Sequence, residues 1–238
     1  MLNQTIHWMQ IVGTVADGLL LWRVLALKLH RVYTFIALYC VLELFFDVAA
    51  WWLGWQSEES ARVYFYSRFL YAALFPAMAW DVFEEIKPQA AKLRRLPAAR
   101  LISGLFVTGV FACLMFATLE EKEFNGTSGL IDLVGLFLWA GSCSASLVFV
   151  WTLYRSTRTQ KLELPNNTSV WLVFFILTLV ASILECIVIL FGFKLSSPQQ
   201  HLVTLVFLSF DLALTAWCIL RLKTVPSPGT AAPENVSW

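Results

Sequence analysis

Glu43 and Asp47 stand four residues apart in LELFFDVAAWW, residues 42 to 52, where every other side chain is apolar. In a helix, positions i and i+4 share a face, so both carboxylates project the same way, alongside Tyr39, Cys40, Ala50 and Gly54. An ionised carboxylate at bilayer depth costs about 2.5 to 3.5 kcal/mol, so such a pair must turn inward, find a partner or stay protonated. The pattern recurs. Gln10, Gly13, Thr14 and Asp17 fall at i, i+3, i+4 and i+7, as do Thr178, Ala181, Ser182 and Glu185. Tyr64, Ser67, Arg68 and Tyr71 share another face, and Thr204, Asp211, Thr215 and Cys218 a further one.

Counted from the ends of their apolar runs, Asp17, Glu43 and Asp211 fall near mid-membrane. Asp47, Arg68 and Glu185 fall in the outer half, and Asp81 toward the inner end. Arg68 is the cation at depth, and its expected partners are Asp47 and Glu185, either of which a guanidinium can hold through two parallel hydrogen bonds. Asp17, Glu43 and Asp211 then lack a countercharge. Carboxyls so placed can bind a cation or relay protons. The bland alternative is that they are neutral acids hydrogen-bonding between helices, each worth about 1 kcal/mol.

The elements that position these side chains are transmembrane helices. Of the 238 residues, 59% are hydrophobic and 14% charged, and mean hydropathy is +0.70, well outside the range of soluble domains. Runs of about 19 residues predict seven spans, near 6–27, 33–54, 63–86, 101–118, 130–154, 170–193 and 201–222. The connections, among them WQSEES, RSTRTQKLELPNNTS and KLSSPQQ, are short and carry turn residues. The expected fold is therefore all-α, a single polytopic seven-helix domain over 1–223, with a flexible cytoplasmic tail over 224–238. The first span has no basic residue ahead of it and reads as a retained anchor rather than a cleaved signal.

Basic residues set the orientation. With the N-terminus outside, Arg23, Lys28, Arg31, Lys87, Lys92, Arg94, Arg95, Arg100, Arg155, Arg158, Lys161, Arg221 and Lys223 lie inside, and only Arg62, Lys122 and Lys194 lie outside. The outer connections hold Glu58, Glu59, Glu120, Glu121 and Glu123 instead. The C-terminus is then cytoplasmic, and the expected location is the plasma (inner) membrane. Trp51, Trp52, Trp55 and Trp171 read as interfacial anchors.

The fourth span lacks ionisable residues and carries two small-residue rows, Gly104, Thr108, Ala112 and Gly109, Cys113, Ala117, which suits close helix packing. An uncharged central helix between two polar-faced triplets suggests a three-plus-one-plus-three plan of parallel repeats. No span-seven lysine is placed for a retinal Schiff base. The three histidines, His7, His30 and His201, lie near membrane boundaries, so no metal site or cofactor is expected. Five cysteines within apolar runs, without CxxC spacing, read as buried thiols. WAGSCSAS, residues 139–146, lacks a GxSxG elbow. Net charge of +1 gives no attraction to nucleic acid.

The expected function is a small membrane transporter or permease with a polar, acid-lined midplane cavity for a cation, proton or small polar solute, lined by Asp17, Glu43, Asp211, Asp47, Arg68 and Glu185. The alternative is a non-catalytic sensor or accessory subunit of a larger membrane complex. The expected partners are the lipid bilayer and either a second copy or such a complex. Acids without His, Cys or Ser partners make a sparse catalytic set, so an enzyme is the third choice.

Overall fold

A computed structural model describes residues 2–54, 57–88, 96–118, 127–191 and 196–224. Among them there are seven α-helices and no strand: α1 (Leu2–Ala26), α2 (Thr34–Leu53), α3 (Glu58–Ile86), α4 (Leu96–Thr118), α5 (Thr127–Thr159), α6 (Asn166–Phe191) and α7 (Ser197–Arg221). A short 3-10 turn, Leu29–Arg31, links α1 to α2. Five helices, α1, α2, α5, α6 and α7, are long and apolar enough to cross a membrane. The described part of α4 is a shorter apolar helix, and α3, which carries Arg68 and Asp81, is less apolar overall.

Several helices run longer than their hydropathy alone predicts because polar capping residues extend them. Ser57 accepts the Ser60 N–H at 3.0 Å and so begins α3 at Glu58, within the expected WQSEES connection. Gln199 Oε1 accepts the Ser196 N–H at 2.9 Å, so Pro198 and Gln199 form the first turn of α7 rather than a connection. α2 ends at Gly54, whose φ of 87° favours glycine. The tail over 225–238 lies outside the described residues, as do Trp55, Lys92, Arg94, Arg95, Glu120, Glu121, Lys122, Glu123 and Lys194.

The helices pair in a pattern that positions the site. α1 packs on α2 and α7, α2 on α3, α3 on α5 and α6, and α6 on α5 and α7. The five helices α1, α2, α3, α6 and α7 thus close a ring, with α5 behind α3 and α6, and α4 packed on the far side of α5. α4 approaches α5 through the first of its small-residue rows. A Cβ added at Gly104 would meet Ala145 Cβ at 2.9 Å, and one at Gly141 would meet Thr108 Oγ1 at 2.6 Å. The second row is not used in this way, since Gly109 has nothing within 4 Å.

The bundle is unevenly packed along its length. At the end where α1 meets α2, here called the basic end, Val24, Leu29, Ile36, Met78, Val82, Ile86, Phe149, Leu153 and Phe175 are all fully buried. Trp171, expected at an interface, is also fully buried, with its ring 6.1 Å from Tyr33 and 5.6 Å from Phe174. Trp51 and Trp52, at the other end, are exposed as an interfacial anchor requires. Four of the cysteines are buried as expected, whereas Cys113, on the outward row of α4, is exposed.

Candidate functional site: a carboxylate cluster inside a five-helix ring

The basic end is closed by polar contacts between helices. Asp81 of α3 accepts the Phe35 N–H at 2.6 Å and the Ile36 N–H at 3.2 Å, so it caps α2, whose own N-cap residue, Tyr33, makes no side-chain cap. A carboxylate there satisfies two otherwise orphaned donors and faces the positive end of the helix dipole. The Tyr33 hydroxyl bonds Glu85 of α3 and lies 3.2 Å from Thr168 Oγ1 of α6.

The C-terminal end of α7 is held from two sides. Arg23 of α1 donates to Leu222 O at 3.0 Å, and Asn166 donates to Arg221 O at 2.9 Å. Asn167 donates to Lys223 O at 2.7 Å and accepts the Lys223 N–H at 2.8 Å. Leu222 is inserted into the core, 1% exposed. These partners supply donors to the carbonyls that a helix leaves unpaired at its last turn.

Above this floor the same helix faces become accessible. On α7, Leu222, Cys218 and Thr215 are buried, while Asp211, one turn further from the basic end, is exposed. On α2, Ile36 and Cys40 are buried and Glu43 and Asp47 are partly accessible. On α1, Leu20 and Ala16 are buried, whereas Asp17 and Thr14 are partly accessible. On these three helices the acids are thus more accessible than the side chains nearer the basic end.

The carboxylates lie near one another. Asp17 of α1 is within electrostatic range of Asp211 of α7 and of Glu43 and Asp47 of α2. Asp47 lies beside the Thr14 hydroxyl and the Asp17 carboxyl. Glu43 lies beside the Tyr39 and Tyr71 hydroxyls, and Asp211 also senses Asp47 and Glu185. The electrostatic neighbours of Asp211 sit on α1, α2 and α6, so its carboxyl is on the ring-facing side of α7. An aromatic group floors the cluster: Tyr39 lies 6.0 Å from Tyr71 and 6.4 Å from Phe174, and Tyr71 stacks on Phe75 at 5.9 Å.

Arg68 departs from expectation. The ion pairs within 4.0 Å among the described residues are Arg62–Glu58 and Lys87–Glu84, both at helix ends, so Arg68 holds neither Asp47 nor Glu185 bidentately. Asp47 is turned toward α1 instead, and Glu185 accepts the Tyr64 hydroxyl at 2.6 Å. The guanidinium lies over the Tyr64, Phe65 and Trp139 rings at 5.3, 4.9 and 5.2 Å, at the junction of α3 with α5 and α6. Arg68 and Glu185 remain electrostatic neighbours. The structure thus brings Asp17, Glu43, Asp47 and Asp211 into one group and places Glu185 at its margin, between the group and Arg68.

Carboxylates grouped together, with no ion-pair partner among the described residues, attract protons or a cation. No set of three or more His, Cys, Asp or Glu side chains among the described residues has the geometry of a metal site. The residues that close the basic end, Arg23, Tyr33, Asp81, Glu85, Asn166, Asn167 and Thr168, do not stand out in the hydropathy pattern. Their one local signal is the Asn166–Asn167 pair directly after Pro165, a helix-start pattern that says nothing of the distant backbone it grips. No family model, curated protein or solved structure matches this chain.

Proposed function

We propose that this chain is a small membrane transporter or permease that takes up a cation, proton or small polar solute into the cleft bounded by Asp17, Glu43, Asp47 and Asp211. The observation that carries the reading is their convergence from α1, α2 and α7 within electrostatic range of one another, with each acid at least partly accessible. A bundle that merely used these acids as interhelical fasteners would close around them, because each hydrogen bond in a dry interior is worth about 1 kcal/mol only when its partner is in contact. Lipid-facing carboxyls would serve neither purpose.

In this reading all seven helices span the bilayer, the basic end is cytoplasmic and the cleft opens outward. The retention of basic segments on the cytoplasmic side supports that orientation. The pairing of helices supports the three-plus-one-plus-three plan. Exchanging α1, α2, α3 with α5, α6, α7 turns the α3–α5 contact into α7–α1, α1–α2 into α5–α6 and α2–α3 into α6–α7, all of which are present. α4 stands outside the exchange. The plasma (inner) membrane is the location that fits this topology.

The test is reconstitution of the full chain in liposomes holding a pH-sensitive dye, with proton, alkali-cation and small organic-cation gradients applied in turn. Flux in the parent that falls at least about tenfold in Glu43→Gln and Asp211→Asn, with folding intact, supports transport. No flux with any gradient, together with co-migration with other subunits on gentle extraction, replaces it with the accessory-subunit reading.

A further inference from the structure

Where α3 packs on α5, two buried donors stand side by side without partners. Arg68 is 7% exposed and Trp139 4% exposed, and neither Arg68 Nε nor Trp139 Nε1 has a hydrogen-bond partner. The two side chains touch, the guanidinium carbon lying 5.2 Å from the Trp139 ring centre. Aromatic faces offset part of the cost of burying the charge, but they take up neither N–H in a full hydrogen bond. Glu185, the carboxylate of α6 beside the site, spends one oxygen on the Tyr64 hydroxyl at 2.6 Å and makes no ion pair with Arg68.

α5 packs closely against α3 beside these donors. A Cβ added at Gly135 would meet Phe69 at 2.8 Å and Phe65 at 3.4 Å, so glycine lets α5 settle against the rings that flank Arg68. Tyr64, 46% exposed, is the ring on the accessible side. A permanent cation and a neutral N–H, both buried and both unpaired, call for a partner that brings lone pairs and negative charge.

We propose that Arg68 and Trp139 form a binding site for a monatomic anion of halide size. Arg68 Nε supplies charge and one donor, the indole N–H supplies the second, and the Tyr64 and Phe65 rings hold the guanidinium in place. A halide fits these two buried N–H groups better than an oxyanion such as sulfate, whose several oxygens need more donors than the pair supplies. It also fits better than water, which brings no countercharge and adds two donors of its own. Glu185 opposes the anion and limits its affinity. The site depends on no part of the transport reading.

The experiment follows thermal unfolding of the detergent-purified full chain at constant ionic strength while sodium gluconate is replaced by sodium chloride or bromide. Bromide quenching of tryptophan fluorescence is recorded in parallel. The expected result is a saturable rise in Tm of about 5 °C and a saturable quenching component, both lost in Trp139→Phe, which keeps the ring and removes the donor. Arg68→Gln also loses both. If Arg68→Gln does not fold, the parent and Trp139→Phe decide the matter. A Tm indifferent to halide, or a halide response unchanged in Trp139→Phe, overturns the proposal and leaves a site that holds water only.

Discussion

The two ends of the helix ring differ in the way their polar groups are used. At the basic end most polar side chains that join helices have a definite partner: Asp81 caps α2, Tyr33 joins α3 to α6, and Arg23, Asn166 and Asn167 hold the last carbonyls of α7, while Arg23 Nε, His30 Nδ1 and Trp171 Nε1 are buried without one. Fully buried aromatic and aliphatic side chains fill the space between them. Toward the other end the carboxylates gather beside one another and beside the Thr14, Tyr39 and Tyr71 hydroxyls, and Tyr64–Glu185 is a direct side-chain hydrogen bond between ring helices there. Polar groups that are paired and dry give rigidity, whereas polar groups of one sign left accessible give a place for something else to bind. The difference teaches that residue type alone does not separate fastener from site. Asp81 and Asp211 are both aspartates in long helices, yet one is saturated by backbone donors and the other by none.

The sharpest way to break this contrast is chemical access. In a Cys113→Ser background, cysteine introduced as Asp211→Cys should react with a charged thiol reagent at least about tenfold faster than native Cys218, seven residues nearer the basic end. Equal rates would mean that the cleft does not exist. Next in size is packing. Trp171→Ala should lower stability by about 3 to 5 kcal/mol, measured by denaturant unfolding in detergent, while Val206→Ala on the exposed face of α7 should stay within about 0.5 kcal/mol.

Gly141→Ala forces a methyl group against Thr108 and should cost about 1 to 3 kcal/mol, whereas Gly109→Ala, which meets nothing within 4 Å, should be neutral in the same assay. Asp81→Ala removes the cap of α2 and should cost about 1 to 2 kcal/mol, with earlier hydrogen exchange in the first turn of that helix. The smallest effect separates side chain from backbone at the α7 terminus. Lys223→Ala should be silent, within about 0.5 kcal/mol, because Asn167 grips the main chain, while Lys223→Pro removes the N–H that Asn167 accepts and should cost about 1 kcal/mol.

Much of the ring was legible because i, i+3, i+4, i+7 spacing is a local property. The rows through Asp17, Glu43, Glu185 and Asp211 define which face of each helix turns inward, and those faces do meet. The partner of Arg68 was not legible. A guanidinium reaches several directions from one backbone position, and the segment of α5 that supplies Trp139 was noted only for lacking a GxSxG elbow. The interfacial assignment of Trp171 failed for a related reason: nearness to a span end says how deep a ring lies but not whether a neighbouring helix covers it. The partners gripping the α7 terminus were hidden because backbone N–H and C=O groups carry no residue identity to read.

Hydropathy and periodicity alone establish an all-helical chain with long apolar helices and the inward face of each, since these follow from residues a few positions apart. Which acids end up opposite one another, which are capped by distant backbone, and where the bundle closes depend on helix pairing. That pairing is set by packing between residues as far apart as Arg23 and Leu222, and no local pattern encodes a contact made only when the chain has folded.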